Sequence, residues 1–142
     1  MPFNLNHSMK TPALIAQVLL GLLFLVVGLN GFLHFISTPQ LPVVAGQFVG
    51  AMGMSHYLAI VWVVQIVGGT LLLINRFVAA ALALLAPVLG NIALFHVFMA
   101  PVAYAPAVIA FTLWTIVFVR ERAAFQPLLA AKALPAPSHA TE

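Results

Sequence analysis

The stretch "VVQIVGGTLLLINRFVAAALALLAPVLGNIALFHVFMAP", residues 63–101, decides how this chain is built. Its one charged side chain is Arg76, which sits beside Asn75 between two apolar runs. Neither run alternates in polarity as a half-buried strand would; the second exceeds the roughly 20 residues that a helix needs to cross hydrocarbon, and the first approaches that length once it is taken back to Tyr57. The pair reads as a tight antiparallel helical hairpin, with Asn75 and Arg76 as its polar turn. Within lipid, a backbone satisfies its own polar groups as a helix or a closed barrel, and strand periodicity is absent. An all-α fold follows.

The rest of the 142-residue chain has the same character: 64% of it is hydrophobic and 5% charged. Soluble domains carry roughly 25% charged residues, and the mean hydropathy here is +1.17. The implied solvent is a bilayer. Four segments qualify as spans, about Ala13–Ile36, Tyr57–Ile74, Phe77–Ala100 and Val102–Val119, and none contains Asp, Glu, Lys or Arg. The expected organisation is a cytoplasmic segment over 1–12, an antiparallel four-helix membrane bundle over 13–119, and a cytoplasmic tail over 120–142. Lys10 precedes the first run as in a signal peptide. That run outlasts the usual apolar core of about 7–15 residues, however, and no small-residue cleavage site follows. It reads as an uncleaved span. With four crossings, Lys10, Arg76, Arg120, Arg122 and Lys132 all fall on one side, which the positive-inside rule makes cytoplasmic.

The connections carry further signals. Pro101 ends the third span, and Pro106 suits an early turn of the fourth. The outer segment Ser37–His56 is uncharged and largely apolar, so Val43–Met54 within it reads as a short interfacial or re-entrant helix. The tail begins as a helical continuation, "RERAAFQPLL", and ends in "ALPAPSHATE", a proline-rich composition suited to disorder.

Several function classes drop out. With no cysteine, disulfides, thiolate metal sites and CxxC redox chemistry are excluded. A dispersed net charge of +3 makes no nucleic-acid footprint. Phosphate-binding, dinucleotide, zinc-protease and serine-hydrolase motifs are absent. No span carries a carboxylate, which argues against a proton relay of Asp or Glu.

What remains is a set of polar residues inside the spans: Asn30 and His34 in the first, Gln65 in the second, Asn91 and His96 in the third. The four-span scheme gathers all five, with His56, in the outer half. Asn30 and His34 are four apart and expected on one helical face. Asn91 and His96 are five apart, about 140° around a helix, which works against a shared small ligand unless Pro87 distorts the turn between them. Gln17 is the main amide of the inner half, and Gln17, Gly21 and Gly28 form a close-approach stripe, as do Gln65, Gly68 and Gly69 on the second span. Trp62, Tyr57 and Tyr104 suit a boundary belt.

Three roles compete for these polar groups. They can be interhelical glue, at about 0.6–2 kcal/mol per contact. Asn30, His34, Gln65, Asn91 and His96 can line a pocket for a polar-headed lipophile such as a quinone. His34, His56 and His96 can bind a metal, though they come singly from separate elements and lack a carboxylate partner; no metal site is assigned.

"GLLFLVVGLNGFLHFI", the run from Gly68 to Pro101 quoted above, and "VFVRERAAFQPLL" together resemble the DoxX-like family of small bacterial membrane proteins, over roughly Leu14 to Leu129. The resemblance implies a four-helix bundle in the bacterial inner membrane and an association with quinone-linked or redox-related complexes. Gln65 stands where an acidic residue often occurs in the family, which weakens any proton-handling role. Asn91 and His96 are the matching polar positions.

The expectation is thus an accessory membrane component of a redox-related complex, its catalytic status open. Its partners are the lipid bilayer, with other membrane or redox proteins or a second copy as candidates. The alternative is a quinone- or lipophile-binding oxidoreductase module, with quinone as the candidate cofactor. A small-solute transporter is least favoured, because embedded charge and inverted repeats are lacking.

Overall fold

The computed structural model describes residues 10–37, 40–101 and 104–129. The segment before Lys10, the terminal "ALPAPSHATE" and Lys132 lie outside the described residues. Five α-helices run in order: α1 Lys10–Leu33, α2 Val43–Met54, α3 Tyr57–Leu73, α4 Val78–Phe98 and α5 Ala105–Phe125. A short 3-10 turn over Gln126–Leu129 closes the series, and there is no strand among the described residues. Val43–Met54 is helical as expected. The last helix starts later than expected, because Pro106 occupies its first turn, and Arg120–Phe125 continue it as the composition of the tail implied.

Each junction has a local cause. At the end of α3, Asn75 adopts the left-handed conformation, with φ 53°, which asparagine tolerates well. Its N–H donates to Leu72 O and the Arg76 N–H donates to Leu71 O, both at 3.2 Å. This is the Schellman arrangement that satisfies the last carbonyls of a helix. Pro87 lies within α4. Five residues before it, Trp114 Nε1 of α5 donates to Leu82 O at 3.1 Å, which ties α5 to α4.

The decisive packing is between α1 and α3, which run antiparallel and share the most extensive interface in the chain. A Cβ on Gly69 would stand 2.7 Å from Gly21 O and 2.8 Å from Leu25 N. One on Gly28 would stand 2.9 Å from Trp62 O. The two backbones therefore touch, as the small-residue stripes imply. On the other side of α3, Gly68 leaves room for Leu85 of α4, where a Cβ would come within 2.7 Å. Contacts of α3 with α4, α4 with α5 and α5 with α1 then close a ring of four long helices. Ala16, Leu20, Phe24, Leu72, Leu82, Leu85 and Val117 fill its interior near the end that holds the start of α1. The shorter α2 stands apart, packed on α3 and bent 86° from it.

Outward-facing positions are as apolar as the core. Leu22 and Val26 of α1, Ile60 and Val63 of α3, Leu94 and Val97 of α4, and Ile109 and Phe111 of α5 are all exposed. A helix that is hydrophobic all round belongs in a larger core or in lipid. Thr11–Leu33 and Val78–Phe98 are long and apolar enough to cross a membrane, and the bent pair α2–α3 forms a third candidate. α3 alone has 17 residues, roughly 25 Å of rise. α5 differs because Arg120, Glu121 and Arg122 fall within its last turns.

Gly69→Ala should lower stability by about 1–3 kcal/mol, the usual range for overpacking a tight interface. Gly90→Ala, where nothing lies within 4 Å of the new Cβ, should be neutral or stabilising by up to about 1 kcal/mol. Reversible denaturation of both variants in mixed micelles checks the contrast.

Candidate functional site

Two polar clusters sit at opposite ends of the helical ring, and they differ in how well they are satisfied. At the end where α1 starts, Gln17 is wholly buried. Its Nε2 donates to Leu72 O at 2.7 Å and to Asn75 Oδ1 at 3.0 Å. Its Oε1 accepts from Arg120. Arg120 Nε in turn donates to Glu121 Oε1 at 2.8 Å. One amide thus joins α1, α3 and α5, and the guanidinium lies near the negative end of the α3 dipole. Sequence reading found Gln17 but not its partners: Arg120 looked like an orientation signal, and the 103-residue separation has no local signature.

At the far end, Gln65 is 4% exposed and lines a cavity of about 170 Å³ beneath α2. Val27 of α1, Phe48 and Met52 of α2, Trp62 of α3, and Asn91, Phe95 and His96 of α4 complete its walls. Trp62 is held in place by α1: a Cβ at Gly31 would overlap its indole, and Phe32 meets it edge-on with ring centroids 5.3 Å apart. It therefore serves as packing and cavity wall, while Tyr57 and Tyr104 are exposed, as are Phe35 and Phe98. Phe48 of α2 approaches Phe95 of α4, with ring centroids 6.1 Å apart, and both line the cavity. His96 Nδ1 donates to Ala100 O at 3.3 Å, so Nε2 is the ring nitrogen left for another partner, an acceptor whenever the ring is uncharged.

Gln65, Asn91 and His96 are therefore brought together. The 140° separating Asn91 from His96 does not keep them apart, because the cavity reaches from α1 to α4 as a broad space. Asn91 also lines a groove of about 220 Å³ between α3 and α4, with Ile60, Val64 and Leu84. It makes no side-chain hydrogen bond among the described residues, so it does not repair the carbonyl released by Pro87. Asn30 and His34 lie elsewhere. α1 ends at Leu33 and His34 turns left-handed with φ 53°, so the two do not share a helical face. Asn30 Oδ1 instead accepts from the Ile36 N–H at 2.6 Å and ties off the chain as it leaves α1. His34 is exposed, with Nδ1 donating to Phe32 O at 3.2 Å. His56 occupies the left-handed junction before α3, and among the described residues no histidine group is arranged to hold a metal.

The most telling atom is Gln65 Oε1. It is buried and has no hydrogen-bond partner among the described residues. A buried acceptor left unpaired costs about 1–3 kcal/mol, and such a group in a native structure calls for water or a ligand. Comparison of the chain with protein-family models, curated proteins and solved structures returned no match.

Gln17→Leu should destabilise the protein by about 1–3 kcal/mol, because it strips Leu72 O and the guanidinium of Arg120 of a buried partner. Unfolding titrations in micelles measure this. Stability equal to the unsubstituted chain would show that the network carries no weight.

Proposed function

We propose that this protein is a DoxX-like, four-span integral membrane protein of the bacterial inner membrane, with both termini in the cytoplasm. Its function is to hold a polar-headed lipophile in the cavity beneath α2, as a membrane component serving redox partners. The observation that carries this reading is the convergence of Gln65, Asn91 and His96 on one aromatic-walled pocket between α2 and an otherwise apolar helical ring. An intramembrane polar cluster marks function by default, and concave apolar sites with a few convergent polar groups are where small molecules bind.

The four-span count is supported by the ring of contacts and by the apolar exterior. In this arrangement α3 crosses at close to the minimum length, α5 crosses up to Val119, and Arg120 and Arg122 lie at the headgroups. The start of α1, the end of α5 and the Asn75–Phe77 turn lie together, so their basic residues share one face, which the positive-inside rule makes cytoplasmic. The uncharged α2 then lies at the outer interface as a cover. Electrons, where they are involved, come from a partner or from the lipophile, because the chain has no cysteine to carry them.

Cysteines placed at Ser55 and Ala123 should react with impermeant reagents from opposite faces of the membrane; labelling from one face refutes the topology. His96→Gln should weaken lipophile retention, scored by mass spectrometry of what co-purifies from the membrane, and leave the fold intact. Equal retention by both proteins removes His96 from the site.

A further inference from the structure

We propose that the cavity beneath α2 selects a single-ring aromatic head that carries a hydroxyl donor, received by Gln65 Oε1 and His96 Nε2. The inference rests on the lipophile-binding reading above and narrows its ligand class. Size comes first. The pocket offers about 170 Å³ and opens at its side, next to a larger pocket of about 410 Å³ that shares Phe48, Met52 and Asn91; about 150 Å³ is room enough for one benzene ring. Phe48, Phe95 and Trp62 supply the flat apolar walls such a ring prefers.

Polarity comes second. Gln65 carries a buried acceptor that nothing in the described residues satisfies; the oxygen is shielded from the cavity, and rotation about the soft last torsion of the glutamine is what brings it to a bound group. At His96, the bond from Nδ1 to Ala100 O fixes the ring so that Nε2 accepts. Two of the three polar groups therefore ask for a donor. A phenol or hydroquinone provides one; a fully oxidised quinone, or an ether, offers only acceptors. The groove along Ile60, Val64 and Leu84 shares Asn91 with the cavity, and it gives an alkyl tail a route toward the exterior between α3 and α4.

The test compares 4-hexylphenol with its methyl ether and with hexyl-benzoquinone. Each is titrated against the full chain in lipid nanodiscs and read as the shift in unfolding midpoint. The ratio of affinities between the unsubstituted protein and Gln65→Met cancels each probe's partitioning into lipid. The phenol should lose about five- to tenfold in affinity on this substitution, the scale of one hydrogen bond, while the ether and quinone lose less than about twofold. His96→Phe, which keeps a ring and removes the acceptor, makes the same comparison from α4 should Gln65→Met fail to fold. In the unsubstituted protein the phenol should also outcompete the ether and the quinone after correction for partitioning. Saturable binding with equal losses for all probes, or stronger binding of the quinone, overturns the donor inference and leaves the site standing. No saturable binding of any probe removes the lipophile site itself.

Discussion

Direct backbone contact between α1 and α3 governs the rest of this structure. Lipid tails are as apolar as leucine, so helices in a bilayer gain little from hiding hydrophobic side chains against one another. What holds them is close approach, and the glycines at 21, 28 and 69 allow it. The consequences run along the whole seam. At one end it brings the carboxamide of Gln17 to the last carbonyls of α3. At the other it lays the indole of Trp62 across Gly31 and sets Gln65 beneath α2.

The two ends show what a polar group inside an apolar protein can be used for. Gln17 has donors and an acceptor committed to three helices, which is the behaviour of a structural clamp. Gln65 lies at a comparable depth of burial, yet its oxygen is idle. A difference of one hydrogen bond changes the meaning of the same residue type: a satisfied amide explains its own presence, and an idle one points to something that completes it.

Much of the architecture was legible in the residues. Continuous apolar runs without strand alternation gave helices, Asn75–Arg76 gave the tight turn, and the uncharged outer segment gave α2, because each is a local property of composition and periodicity. The glycine stripes were legible too, since close approach demands them. Less visible were features created by the third dimension. Asn30 and His34 looked like cavity residues because their spacing is helical, but α1 stops at Leu33 and the pair is spent on the exit of the chain. Asn91 and His96 looked too far apart in angle, and only the breadth of the space under α2 unites them. The partnership of Arg120 with Gln17 had no trace in either neighbourhood.

That partnership bears on how the molecule is made. Ribosomes deliver α1 and α3 long before the last helix, so the seam can zip while the remainder is still being synthesised. Ring closure must wait for the guanidinium that arrives with the final turns of α5. Until then the oxygen of Gln17 lacks its cationic donor, and the half-built protein has one side unlatched.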